Sequence, residues 1–72
     1  MEARYKKELK NFGEKLRRLR KQNNYSQLDL EIRSGIDRTD ISKIENGLKN
    51  IELRTIIKLA NGLNIKTEEF FK

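Results

Sequence analysis

Apolar residues along this 72-residue chain recur at helical rather than strand intervals. Tyr5, Leu9, Phe12, Leu16 and Leu19 follow at steps of four, three, four and three, one stripe of an amphipathic helix predicted over residues 3–22. Lys and Arg occupy most of its other positions. Gly13 falls inside the pattern at a cost of about 1 kcal/mol relative to Ala, so the first turns are expected to fray or bend. Residues 1–8 are therefore either a helical extension or a basic arm. Asn23-Asn24 ends the helix, both residues being tolerant of turn geometry. Further on, Leu53, Ile56, Ile57, Ala60 and Leu63 make the inward face of another helix, closed by Gly62 and Asn64. Leu59 widens that face and is expected to leave apolar surface for a partner. Thr67 with Glu68 and Glu69 predicts a short last helix, whose acids suit its N-terminal dipole and which ends in Phe70-Phe71.

Between these lies Ser26 to Gly47, with two short helical patterns over Ser26–Ser34 and Asp37–Asn46. Ser26 is followed three residues later by Asp29, a cap hydroxyl and an acid that can satisfy the free N–H groups of a first turn. Asp37 and Asp40 repeat the spacing and predict the same device. Gly35, after Ser34, can take the positive φ of a helix C-terminus, and Asn46-Gly47 closes the next helix similarly. In that next helix Ile41 and Ile44 point inward, with Ile36 in the turn before. The other face presents Arg38, Thr39, Ser42 and Lys43. An apolar stripe of two residues makes this helix dependent on its neighbours. Gly47 to Ile51 is a loop. Two capped helices joined by a glycine-containing turn are the pattern of a helix-turn-helix, whose second helix can enter the DNA major groove.

Composition narrows the possibilities. The chain lacks Val and Pro and has three Thr, which argues for an all-α domain. Leu, Ile and Phe supply 20 of 72 residues, above the ~20% apolar content below which chains tend to disorder. One small domain spanning residues 1–72 is expected. With neither Cys nor His, disulfides and thiolate chemistry are excluded and a conventional zinc site is left without its usual ligands. No cofactor or metal is implied. No catalytic grouping or phosphate-cradling glycine loop is present, so enzyme activity is not expected. The longest apolar run is far short of the ~20 residues that cross a membrane, and the charged N-terminus does not resemble a signal peptide, so a cytoplasmic location is the expectation. The net charge is +6. Residues 1–21 hold nine Lys/Arg against three Glu, whereas residues 22–72 hold eight of each sign. Such a basic segment suits a polyanion, although a solvated helix face explains it equally well.

With these residues placed, the chain from Phe12 to Phe71 resembles the phage repressor/Cro-type (XRE-like) helix-turn-helix regulators. The shared features are Leu19-Arg20, Ser26-Gln27, Gly35, Ile41-Ser42, the run Ile44-Glu45-Asn46-Gly47, Leu63-Asn64-Ile65 and Glu68-Glu69-Phe70-Phe71. Asp37-Arg38-Thr39 is similar to the third-helix start of controller proteins of restriction–modification systems. The resemblance implies a compact five-helix, lambda repressor-like domain that binds a two-fold operator on double-stranded DNA as a homodimer, with half-sites ~10 bp apart. It implies base contacts from Arg38, Thr39, Ser42 and Lys43, with Arg38 suited to a bidentate guanine contact. Gln27 and Asn46 fall where the family grips phosphate, and Lys49 is a plausible addition. Arg20 and Glu45 match a buried ion pair. Leu59, Phe70 and Phe71 are candidates for a dimer interface, although the two Phe could pack against their own first and fourth helices.

Two positions depart from the family pattern. Glu31 stands where a small buried residue such as Ala is usual, so either the helices sit further apart or the carboxylate reaches outward. Asp40 lies near the DNA side of the third helix, where it either bonds backbone N–H groups as part of the cap or accepts from a cytosine amino group. The rival class is an antitoxin or another protein-interaction module on the same fold, with a toxin or other protein as partner.

Overall fold

The computed structural model describes all 72 residues and contains four α-helices, α1 (Glu2–Gln22), α2 (Gln27–Ser34), α3 (Arg38–Glu45) and α4 (Leu53–Leu63), followed by a 3-10 helix at Thr67–Phe71. The expected fifth helix is therefore only a tight 3-10 segment. Residues 1–8 continue α1 and do not form a separate arm.

The short elements are held in place by their ends. Ser26 accepts from the Asp29 amide while the Asp29 carboxylate accepts from the Ser26 amide, the reciprocal box at the start of α2. Gly35, at φ 79°, closes α2 by donating to the Glu31 carbonyl. The other helices end at left-handed residues that let an amide reach back five residues: Tyr25 N–H bonds Arg20 O past Asn24, Leu48 N–H bonds Lys43 O past Gly47, and Ile65 N–H bonds Ala60 O past Asn64. The start of α3 differs from expectation. Asp37 caps it by accepting from the Thr39 amide at 2.9 Å, but Asp40 does not complete a reciprocal box.

One apolar cluster unites all the elements: Phe12 and Leu16 of α1, Leu30 of α2, Ile41 and Ile44 of α3, Leu59, Ala60 and Leu63 of α4, and Phe70. Ile36 and Ile51 in the connections and Ile56 on α4 pack against its edge. The inward face of α4 is thus rotated from the expected one. Leu59 is fully enclosed (0% exposed), while Leu53 and Ile57 look outward at 66% and 43%. Phe70 is also buried, its ring 4.9 Å from that of Phe12. Neither Leu59 nor Phe70 has area left for a second copy; of the expected interface residues only Phe71 is exposed.

Both in-pattern glycines prove to be sites of close approach. A Cβ on Gly13 would collide with the Ile44 carbonyl oxygen and stand 2.6 Å from that of Glu45, because α1 crosses the C-terminus of α3 there. Gly62 is the penultimate residue of α4, which ends as expected at the left-handed Asn64, and a Cβ at Gly62 would stand 2.8 Å from Cβ of Ser34. Glu31 is half-exposed, so its carboxylate reaches outward.

Gly13→Ala separates two effects of opposite sign. In an unpacked helix it stabilises by ~1 kcal/mol through propensity. Here overpacking against backbone by ~1–3 kcal/mol outweighs that gain, so the denaturant midpoint is expected to fall. A midpoint raised by the full propensity gain would contradict the close crossing.

Candidate nucleic-acid interface

The side of α3 opposite Ile41 and Ile44 carries Arg38, Thr39 and Lys43, all exposed, and Ser42, half-buried. No acid of the chain forms an ion pair with Arg38 or Lys43; the basic side chains so engaged are Arg17, Arg20, Lys49 and Lys72. The polar face is therefore uncovered and cationic.

What fixes this face is Glu45 in the last turn of α3. Its side chain is fully enclosed, and it receives four hydrogen bonds. Arg20 donates Nε to Oε2 at 2.7 Å and Nη2 to Oε1 at 3.0 Å, a bidentate fork. Arg17 Nε and Gln27 Nε2 add bonds to Oε1 at 3.3 and 3.1 Å. Arg20 also donates Nη1 to the Tyr25 carbonyl at 2.9 Å, so one guanidinium joins α1, the α1–α2 turn and α3. Burial works to raise the Glu45 carboxyl pKa, but the hydrogen bonds from Arg20 and Gln27, the Arg20 charge and the Arg17 bond outweigh it and hold the group below its ordinary 4.5. Arg20 is raised in turn, chiefly by its bond to Glu45.

The phosphate candidates are held by the same network. Gln27 has turned an amide N–H inward to Glu45, leaving its other N–H uncommitted. Asn46, exposed at the C-terminus of α3, accepts from Arg17 Nη2 at 2.9 Å through its side-chain oxygen. Both donor hydrogens of its amide are thereby turned away from Arg17. Lys49 lies 3.5 Å from Asp40, both being partly exposed. Asp40 is thus neither a backbone cap nor a free acceptor in this structure: Lys49 offsets its charge at the edge of the polar face.

Arg17 escaped the sequence-based selection of site residues. Its signal was available: Arg17 and Arg20, three apart, lie on one side of a helix. Arg33 was missed as well. It donates Nε to the Gly62 carbonyl at 2.7 Å and sits 4.7 Å over the Tyr25 ring, tying α2 to α4 and to the α1–α2 turn.

A short capped helix pair with a left-handed glycine between, its second member anchored from within and polar without, defines a helix-turn-helix DNA-binding domain. Residues 16–70 match the helix-turn-helix family model, and the chain belongs to that family. It is 41% identical over 61 residues to control protein C.MunI of a Mycoplasma species, covering 83% of this chain and 82% of the relative. Control protein C.BamHI of Bacillus amyloliquefaciens is 36% identical over 59 residues, 81% of this chain and 73% of the relative. The crystal structure of the restriction-modification controller protein C.AhdI from Aeromonas hydrophila superposes with a TM-score of 0.87 at 41% identity, over 89% of this chain and 97% of that one. The family is one of DNA-binding transcription regulators, not of enzymes. No helix of the chain is long and apolar enough to cross a membrane.

The Glu45 network gives a pH signature. A carboxylate with a lowered native pKa contributes stability that is present above the ordinary value of 4.5 and is lost as pH falls through the native one. Unfolding free energy is therefore expected to drop below pH 4.5. Glu45→Gln should remove part of that drop, leaving what Asp29 and Glu69, also lowered, contribute. At neutral pH, Arg20→Ala should cost ~3–5 kcal/mol by leaving Glu45 with too few partners. Denaturant unfolding of both variants at several pH values checks this; Arg20→Ala at wild-type stability would mean that the pair is not a closed one.

Proposed function

We propose that this chain is the controller-type transcription regulator of a restriction–modification system: a cytoplasmic, single-domain homodimer that binds a two-fold operator with α3 in the major groove. The observation that carries the proposal is the uncovered cationic face of α3, held outward by the buried Glu45 network. The controller relatives, alike over most of their length, support the choice within the family.

In this account Arg38 reads a guanine edge through its planar fork, and Thr39, Ser42 and Lys43 complete the base contacts. Asn46, Lys49 and the free N–H of Gln27 take phosphates. The dimer buries the apolar side chains left uncovered at the end of the chain, Phe71 (67% exposed) and the α4 pair Leu53 and Ile57, because Leu59 and Phe70 are consumed by the domain's own core. Symmetry then sets two half-sites about one helical turn, ~10 bp, apart.

Selection of duplexes from a random pool tests this directly. A palindromic consensus is expected, with log K falling steeply against log salt. On the selected duplex, Arg38→Ala should cost ~1–3 kcal/mol and relax specificity while random DNA is bound nearly as before. Lys49→Ala should weaken all duplexes alike and lower the salt slope by about one per protomer. Equal losses for Arg38→Ala on selected and random DNA would remove Arg38 from base readout. For the dimer, Phe71→Asp and Ile57→Asp are each expected to shift sedimentation toward monomer; two unchanged profiles would place the interface elsewhere.

A further inference from the structure

The charge of α1 is not spread evenly around the helix. At 3.6 residues per turn, Lys6, Lys10, Arg17 and Lys21 fall within an arc of roughly 60°, next to the line on which Gly13 and Arg20 meet α3. The stripe is pinned to the C-terminus of α3 at two places. Arg17 bonds Asn46, and the backbone of Lys10 presses against Gly47, where an added Cβ would stand 3.1 Å from its Cα. Lys6, Lys10 and Lys21 are exposed, and none forms an ion pair. The acid nearest this arc, Glu14, is unpaired too and lies toward its far edge. Lys6 extends the stripe by ~6 Å along the axis past Lys10, and Arg17 to Lys6 is ~16 Å in all, while one strand of duplex advances ~3.4 Å per phosphate. The family match begins at residue 16, so Lys6 and Lys10 lie outside it.

We propose that Lys6 and Lys10 form a second phosphate-binding surface, gripping the duplex backbone beyond the segment that α3 reads. The proposal rests on α3 being the recognition helix. A rigid helix pinned beside Asn46 carries the two ammonium groups along a fixed line, so the same phosphate row that meets Asn46 and Lys49 is continued outward by Lys10 and Lys6. A flexible arm of equal charge would lose more conformational entropy on binding. These contacts add affinity and footprint without reading bases.

The test uses the full chain and the duplex it selects, in two lengths: trimmed to the selected half-sites, and carrying about one further helical turn, ~10 bp, on each side. The variants are Lys6→Gln/Lys10→Gln and, as a control of equal charge on the opposite side of α1, Arg4→Gln/Lys15→Gln. On the longer duplex at ~0.1 M salt the stripe variant is expected to bind at least about tenfold more weakly, with its salt slope reduced by about two per protomer. On the trimmed duplex it should match wild type, its preference for selected over random sequence should persist, and the control should stay near wild type throughout. Equal binding by wild type and stripe variant on the longer duplex overturns the proposal while the α3 assignment stands, and so does a control that loses as much as the stripe variant. A wild-type chain with no salt-dependent binding to either duplex overturns the α3 assignment and this proposal together.

Discussion

Everything that makes α3 usable depends on one buried carboxylate. An eight-residue helix with two inward isoleucines is too short to hold itself: isolated helices below ~12–15 residues are marginal even with favourable sequences. Ile41 and Ile44 attach it to the core along a single narrow line. Glu45 adds a polar anchor at the end of that line, since its carboxylate receives bonds from Arg17, Arg20 and Gln27. Desolvating the pair is expensive, so such a network is weak evidence for added stability and is better understood as fixing a unique arrangement. In this protein the arrangement fixed is the direction in which Arg38, Thr39 and Lys43 point.

The network also joins the residues proposed for the two kinds of DNA contact. Arg17 touches Glu45 and Asn46 together, so the group that orients the recognition helix also orients a candidate phosphate ligand at its end. Gln27 performs the same double duty from α2. The approach of α1 that makes these bonds possible requires the absence of a side chain at Gly13, and it sets the basic stripe of α1 alongside the loop that follows α3. Packing at one glycine and bonding at one carboxylate thereby determine the shape of the whole cationic surface.

Much of this was legible in the sequence, and what was not has identifiable physical causes. The four helices follow from apolar spacing and capping residues, and the α2 box was readable from Ser26 and Asp29 alone. The close approaches at Gly13 and Gly62 have no trace in sequence, because a glycine's local cost is visible there while its partner, about 30 residues away, is not. The face of α4 differs for a related reason: six apolar positions crowd it, and which of them turn inward is decided by packing against the rest of the core and by the close approach of α2 at Gly62. Leu59 went in, and Leu53 and Ile57 went out. Asp40 reads in sequence as a cap residue or a cytosine acceptor, whereas its neighbour in the structure, Lys49, comes from the following loop. Tertiary choices of this kind leave no periodic trace.

On the proposed function, α3 presents its polar face to base pairs while Glu45 holds its other side inside. The most direct measurement is backbone amide NMR of the isotopically labelled chain titrated with the duplex it selects. Shifts concentrated at Arg38, Thr39, Ser42 and Lys43, with Leu30, Leu59 and Leu63 little changed and the Arg20 and Glu45 signals still those of a closed pair, are the predicted result. Shifts that spare α3, or that spread through the core as the helices rearrange, would contradict the account.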